Sequence, residues 1–209
     1  MLQRLHLVRH GEVYNPGEVV YAALPGFGLS TLGIAQAAAA ADHLSDSHAV
    51  LVVASPLQRA VETATRIADR LAIRLRLDDR LVEWGLAQRW AGVAWADLPE
   101  RFPGELEAYL RSPTDLPFAT ESIAEVAERM VAVVSDLDAV ETPEAILVSH
   151  QDPLQALRLA LTDRGLMMLA VDRPGHAAVI TLDRIEDRWT ERRSWSPPGP
   201  SSTFPPSGP

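Results

Sequence analysis

Two arginines and two histidines follow apolar segments of the chain, and their side chains are suited to phosphate chemistry. Arg9 and His10 come directly after the first segment, Arg59 lies shortly after the second, and His150 comes directly after the third. A guanidinium offers paired donors that match phosphate oxygens, and a neutral imidazole nitrogen can attack phosphorus. Any one of these side chains alone would also fit a solvated surface position. The repeated pattern predicts a site for phosphoryl chemistry.

A carboxyl group that could give a proton to a leaving alcohol is also present. Glu83 lies within residues 78–103, a stretch that we expect to be irregular and that contains Trp84, Trp90 and Trp95. Apolar surroundings would raise the pKa of Glu83 and keep its carboxyl protonated near neutral pH, as a general acid requires. An exposed loop carboxylate is the alternative interpretation. The tryptophans are expected either to cover an apolar part of the substrate or to pack in the core.

Alternating strands and helices would bring these side chains together. The predicted strands are residues 3–8, 49–54, 74–77, 145–148, 177–182 and 188–195, the last two forming a hairpin. The predicted helices are residues 29–44, 55–71, 105–110, 121–140 and 152–161. This alternation indicates an α/β fold with a mostly parallel sheet covered by helices. Ligands of such sheets bind at the carboxyl ends of the strands, so the candidate side chains should meet at one edge.

Local signals mark the start of two helices. Ser30 or Thr31 is expected to cap the first helix, and Ser55 to cap the second, with Pro56 in its first turn. Arg59 would then lie one turn beyond its cap, with its side chain leaning back toward the sheet edge. The free N–H groups at this helix start would also favour an anion.

Composition narrows the class of protein. The 209-residue chain is 47% hydrophobic, so it can bury a sizeable core. No stretch reaches the roughly 20 apolar residues that span a bilayer. A formal charge of −9 argues against a nucleic-acid partner, and the absence of cysteine excludes disulfides and thiolate metal sites. We expect a cytoplasmic protein that binds neither nucleic acid nor membranes, with a homodimer left open.

Five motifs in chain order resemble those of a known family. They are Arg-His-Gly-Glu at 9–12, Leu-Ser-x-x-Gly at 29–33, Ser-Pro-x-x-Arg-Ala-x-Glu-Thr-Ala at 55–64, the mid-chain Glu83, and a late strand ending in His150. Together they resemble the histidine phosphatase superfamily, which includes the cofactor-dependent phosphoglycerate mutases. The resemblance implies a phosphoglycerate mutase-like, three-layer α/β/α sandwich formed as one domain by residues 1–195. Residues 196–209 form a Pro/Ser/Gly-rich tail that we expect to be disordered or extended.

The resemblance also implies a catalytic role for each candidate. His10 would be the nucleophile that becomes phosphorylated. Arg9, Arg59 and His150 would bind the phosphoryl oxygens during the reaction. Glu83 would protonate the leaving oxygen and then deprotonate the water that resolves the intermediate. Two guanidiniums and an imidazole can neutralise a phosphoryl group without metal or cofactor, and the expected substrate is a small phosphorylated metabolite.

Four residues depart from the family pattern near the site. Asn15 comes one residue earlier than a family asparagine, and Gln151 replaces the usual glycine after the second histidine. Both are candidate substrate-binding residues. Ala23 stands where an arginine is common, and Asp152 is expected to turn away as an N-terminal helix residue. The other histidines are interpreted as structural or solvated: His6, His43, His48 and His176.

Three functions are open at this point. They are a phosphatase that acts through phosphohistidine, a phosphoglycerate-type mutase, and a catalytically silent phosphate-binding protein. The missing arginine at Ala23 would remove a contact to a second anionic group, which favours hydrolysis over mutase activity. Retention of all the candidate catalytic side chains speaks against a silent protein.

Overall fold

A six-stranded sheet lies at the centre of the protein in a computed structural model that describes residues 1–199. Strands β1–β6 cover Arg4–Arg9, Leu51–Ala54, Arg74–Leu77, Glu144–Ser149, Val179–Ile185 and Arg188–Trp195. Their order across the sheet is β3-β2-β4-β1-β5-β6. β1 to β4 pair in parallel, and the hairpin of β5 and β6 adds two antiparallel strands at one side. The predicted mostly parallel sheet is confirmed.

Two layers of helices bury the faces of this sheet. Helices α1–α7 cover Thr31–His43, Gln58–Leu71, Gly85–Arg89, Leu98–Arg101, Glu105–Arg111, Ile123–Ala139 and Gln151–Leu161. Val148 of β4 packs in one apolar cluster with Ala40 of α1 and Ile67 of α2. Its neighbour Leu147 projects to the opposite face, as alternate strand residues do, and joins a second cluster with α6 and α7. The three-layer α/β/α arrangement is therefore confirmed.

Glycines bring the loop after β1 onto the start of α1. Ser30 caps α1 by accepting the Gly33 N–H at 2.9 Å, as predicted. A Cβ atom on Gly33 would overlap the Glu12 carbonyl oxygen, and one on Gly11 would lie 2.5 Å from the Gly33 carbonyl oxygen. Only glycine lets these backbones approach so closely. The Leu-Ser-x-x-Gly segment thus fixes the loop that carries His10.

The start of α2 differs from the prediction. The helix begins at Gln58 with Leu57 as its cap residue, so the expected cap at Ser55 is wrong. The Ser55 hydroxyl lies instead 2.8 Å from His150 Nε2, a partner 95 residues away in the chain. The Ser55 hydroxyl thus combines this tertiary contact with a local bond that it accepts from the Leu57 N–H at 3.3 Å.

Residues 78–103 are not irregular, because they form a series of short helical segments. Turns of 3-10 helix cover Asp79–Leu81 and Trp95–Asp97, and α3 and α4 cover much of the rest. Trp84 and Trp90 are each 2% exposed and pack against Tyr109, with ring centroids 6.0 and 5.7 Å from it. Core packing, rather than a lid over the substrate, is the role of these two tryptophans.

The structure describes only the first four residues of the predicted tail. Residues 196–199 follow β6 without helix or strand, and residues 200–209 lie outside the described residues. Within residues 1–199, no helix has the length and apolar character needed to cross a membrane.

Candidate active site

His10 lies at the centre of the candidate site, directly after β1. The side chain is buried, and its ring centroid lies 5.2 Å from that of His150 and 5.7 Å from that of His176. Its Nδ1 lies 2.8 Å from the Gly11 carbonyl oxygen, so the ring proton sits on Nδ1 and Nε2 carries the lone pair. Burial, followed by the positive charge of Arg59, lowers the pKa of His10 well below its usual range. The ring is therefore a neutral nucleophile at neutral pH.

Arg59 is held against this nucleophilic nitrogen. The buried side chain donates from Nε to His10 Nε2 at 3.3 Å and from Nη2 to the Ala22 carbonyl at 2.8 Å. Its guanidinium also lies over the Tyr21 ring, 4.7 Å from the centroid. Burial is the main cause that lowers the pKa of Arg59. The fold thus keeps a poorly solvated cation where it can bind the oxygens of a phosphoryl group.

Arg9 reaches the same place from the last position of β1. Its Nη1 donates to the Pro174 carbonyl at 2.9 Å, and its Nη2 donates to His176 Nε2 at 3.0 Å. Arg9 Nε is buried and has no hydrogen-bond partner within residues 1–199. Burial, together with the charge of Arg9, lowers the pKa of His176 to about 2. A neutral His176 therefore helps to fix the Arg9 guanidinium.

His150 occupies the end of β4 and is fully buried. The Ser55 hydroxyl accepts the Leu57 N–H at 3.3 Å, so its own proton can be donated to His150 Nε2. When Ser55 donates to Nε2, the proton of the neutral His150 ring is on Nδ1. This Nδ1 lies 4.0 Å from Glu83 Oε2 and has no hydrogen-bond partner in the described part of the chain. It is a donor available to a phosphoryl oxygen.

Glu83 lies between the first 3-10 turn of this region and α3. Its Oε1 accepts the Trp84 N–H at 2.8 Å, and its Oε2 is the oxygen that lies near His150. Burial, and to a smaller extent the negative charge of Asp152, raises the pKa of Glu83 to about 7. Glu83 is therefore protonated in a large fraction of molecules at neutral pH, as the sequence interpretation requires.

Asp152 does not turn away from the site, which corrects the expectation from its place in the helix. Its Oδ2 accepts the Tyr109 hydroxyl at 2.9 Å, and its Oδ1 is buried without a hydrogen-bond partner among the described residues. Tyr109 belongs to α5 and fixes the Asp152 carboxylate, whose charge acts on both Glu83 and Arg9. Asp152 thus adds a negative charge beside Glu83.

The two candidate substrate-binding residues are placed differently. Asn15 closes its own loop, because its Nδ2 donates to the Val19 carbonyl at 2.9 Å and its Oδ1 accepts the Val19 N–H at 3.2 Å. These bonds use one N–H and one oxygen lone pair of the Asn15 amide to close the loop, and its contact with substrate stays a prediction. Gln151 is buried at the first position of α7, directly after His150.

Sequence reasoning missed His176 and Asp152. The topology supplies the signal for His176, because β5 runs antiparallel to β1 and its amino end lies at the carboxyl edge of the parallel strands. A histidine three residues before β5 is therefore brought to the same edge as His10. For Asp152 no local signal exists, since its orientation depends on Tyr109, 43 residues away in the chain.

The assembled site combines a nucleophile, an anion cage and a proton donor. Arg59 contacts the unprotonated nitrogen of His10, the charge of Arg9 acts on the same ring, and His150 lies beside it with Glu83 4.0 Å from its Nδ1. In residues 1–199, no group of three or more His, Cys, Asp or Glu side chains is arranged to hold a metal ion. The arrangement can hold a phosphoryl group by its oxygens, attack it at phosphorus, and protonate the departing oxygen.

Comparisons with known proteins agree with this chemistry. Residues 5–195 match the sequence profile of the histidine phosphatase superfamily (branch 1). An uncharacterised protein of Mycobacterium tuberculosis H37Rv is 42% identical over 164 residues, which are 78% of this chain and 80% of that protein. The glucosyl-3-phosphoglycerate phosphatase of the same strain is 35% identical over 170 residues, covering 76% and 75% of the two chains.

A solved structure shows the same likeness in three dimensions. The mycobacterial glucosyl-3-phosphoglycerate phosphatase in complex with inorganic phosphate superimposes with a TM-score of 0.80 at 30% identity, covering 93% of this chain and 97% of that one. The chain belongs to the histidine phosphatase superfamily. It is a phosphatase of the phosphoglycerate mutase-like type.

Proposed function

We propose that the protein is a metal-independent phosphatase that hydrolyses small phosphate monoesters through a phosphohistidine on His10. The observation that carries this proposal is the unprotonated Nε2 of a neutral His10, which accepts from Arg59 Nε at 3.3 Å and whose ring also feels the charge of Arg9. The mycobacterial relative whose structure contains inorganic phosphate supports a phosphate site in this fold.

The first step transfers the phosphoryl group to the enzyme. The Nε2 lone pair of His10 forms a bond to phosphorus while the bond from phosphorus to the ester oxygen breaks. Glu83 gives its proton to that oxygen, so the alcohol leaves as a neutral molecule. Arg9, Arg59 and the Nδ1–H of His150 neutralise the equatorial oxygens, where charge is spread in the transition state.

The second step releases phosphate. Glu83, now a carboxylate, accepts a proton from a water molecule as the water oxygen attacks phosphorus. The bond between phosphorus and His10 Nε2 breaks, and its electron pair returns to the ring. A pKa of about 7 suits Glu83 to both steps, because acid and base forms are both populated near neutral pH.

Hydrolysis is favoured over mutase activity by the loop that contacts Arg59. Its Ala22 carbonyl accepts from Arg59, and the next residue, Ala23, is exposed and offers no charge to a second anionic group. A mutase must hold a doubly anionic substrate and protect its phosphoenzyme from water. Interconversion of 3-phosphoglycerate and 2-phosphoglycerate without release of phosphate would support the mutase instead.

The direct test is hydrolysis of p-nitrophenyl phosphate with a chelator present. We expect the wild type to be active and the His10→Ala variant to lose at least about 10⁴-fold in kcat/KM. His48→Ala is the matched control, because His48 is exposed and is expected to leave activity unchanged. Undiminished hydrolysis by His10→Ala would refute the mechanism.

The natural substrate, the cytoplasmic location and the assembly as a monomer or homodimer stay predictions from the sequence. A panel of metabolite phosphates that includes glucosyl-3-phosphoglycerate, the substrate named for the relatives, would identify the preferred ester.

A further inference from the structure

Two polar atoms near the phosphoryl-binding side chains are buried without hydrogen-bond partners among the described residues. They are Asp152 Oδ1 and Arg173 Nη2. Tyr109 connects the two side chains. Its hydroxyl donates to Asp152 Oδ2 at 2.9 Å, and the Arg173 guanidinium lies over its ring, 4.9 Å from the centroid. One fixed acceptor and one fixed donor are thus arranged around a single aromatic side chain.

This group of side chains lies on the side of the site where the alcohol must leave. Asp152 comes two residues after His150 in the first turn of α7, and its charge acts on both Glu83 and Arg9. The Trp84 ring, next in the chain to Glu83, lies 6.0 Å from that of Tyr109. Glu83 donates its proton to the ester oxygen in the proposed mechanism, so the rest of the alcohol must extend past it.

The chemistry of the two unpartnered atoms selects among ligands. A hydroxyl group can donate to a carboxylate oxygen such as Asp152 Oδ1 and can accept from a guanidinium N–H such as that of Arg173 Nη2. A carboxylate or second phosphate would instead bring negative charge against Asp152 and Glu83. Arg173 offsets this repulsion poorly, since its guanidinium stacks on Tyr109 and its Nε donates to the Leu169 carbonyl at 3.1 Å.

We propose that Asp152 and Arg173 form a subsite for a neutral hydroxyl of the leaving alcohol, so that the substrates are polyol or sugar phosphates without a second anionic group close to the ester. The proposal rests on the proposed phosphatase function and specifies its substrate class. Asp152 is then a specificity-determining residue, oriented by Tyr109.

Glycerol 3-phosphate and 3-phosphoglycerate provide a matched pair of substrates, because they differ in a terminal hydroxymethyl or carboxylate group. We expect the wild type to prefer glycerol 3-phosphate by about tenfold in kcat/KM. Asp152→Asn removes the charge at constant shape and should bring the two values within about threefold of each other. Any effect of Asp152 on the acidity of Glu83 changes both substrates alike, so the ratio isolates the subsite.

Two further variants complete the experiment. Tyr109→Phe keeps the ring under Arg173 but frees Asp152, and should reduce the preference in the same direction by a smaller factor. It also provides the test if Asp152→Asn fails to fold. Asp163→Asn removes an exposed charge just beyond the other end of α7 and should leave the ratio at the wild-type value.

The outcomes separate this proposal from the function on which it rests. A wild type that hydrolyses p-nitrophenyl phosphate but prefers 3-phosphoglycerate would overturn the subsite alone. The same conclusion would follow if the ratio were unchanged in both Asp152→Asn and Tyr109→Phe. A wild type inactive on p-nitrophenyl phosphate would refute the phosphatase mechanism as well.

Discussion

The two edges of the sheet carry similar charged residues, but those at one edge pair with each other and those at the other edge do not. At the amino edge of the parallel strands, His6 contacts Glu144 at 2.9 Å and Thr181 at 3.0 Å, and Arg4 pairs with Asp183 at 2.6 Å. A groove of about 470 Å³ lies there, lined by charged side chains that neutralise one another. This edge looks like a binding site in shape, yet its charged side chains pair with one another, although Arg184 Nε is buried there without a hydrogen-bond partner among the described residues.

At the carboxyl edge the cations are left for a ligand. Arg9 and Arg59 donate to backbone carbonyls and imidazole nitrogens. The unpartnered atoms Arg9 Nε and His150 Nδ1 lie at this edge. This comparison indicates that a cluster of charged residues stabilises the fold when its members pair with each other. It binds ligand when burial leaves its members unpaired.

The largest effect that separates the two edges is expected for Arg59→Met. We expect kcat/KM on p-nitrophenyl phosphate to fall about 10³-fold, because a cation at the transferring phosphoryl group is lost. The free energy of unfolding should equal or exceed that of the wild type, since a poorly solvated cation is removed from the core. Kinetics and urea denaturation measure the two quantities, and Arg70→Met, on the exposed face of α2, is the control. A large loss of stability would contradict the contrast between the edges.

A second expectation concerns the leaving group and Glu83. Glu83→Gln should reduce kcat/KM about 10²-fold on alkyl phosphates, whose alkoxides need a proton, and much less on p-nitrophenyl phosphate. With wild type and an alkyl phosphate, activity should fall as pH rises above about 7, because Glu83 then loses its proton. This alkaline decline should be absent in the variant. Equal losses on both kinds of ester would remove Glu83 from the role of proton donor.

The smallest effect on catalysis is expected at the amino edge, for His6→Ala. The substitution leaves the buried Glu144 carboxylate without its imidazole partner, so the free energy of unfolding should fall by about 1–3 kcal/mol. Activity on p-nitrophenyl phosphate should stay within about twofold of wild type at a temperature where the variant is folded. If the folded His6→Ala variant lost clearly more than twofold in activity, the amino edge would also contribute to function.

The sequence predicted the strands with different accuracy. β4 was predicted from its apolar run to within a residue at each end, because a strand buried on both faces has a clear pattern. β5 starts two residues later than predicted, and Ala177 before it has a left-handed backbone that the apolar run does not reveal. The apolar runs therefore located both strands, and they placed the ends of β4 more accurately than those of β5.

The site was predictable where residues follow strands and unpredictable where they depend on distant partners. The places of Arg9, His10 and His150 follow from parallel strands that end together. The places of Asp152 and Ser55 do not, because each is fixed by a side chain far away in the chain. Asn15 is bonded within its own loop, and its contact with substrate stays a prediction.

Chemical identification of the phosphoenzyme tests most directly whether His10 is the nucleophile. Glu83→Gln should accumulate it with p-nitrophenyl phosphate, because the first step needs little acid assistance and the second lacks its base. After an acid-free quench, we predict about one protein-bound phosphate per chain, labile to acid and stable to base, and located on His10. Its absence from the double variant His10→Ala, Glu83→Gln completes the expected result. Bound phosphate that survives acid, or that persists without His10, would contradict the account.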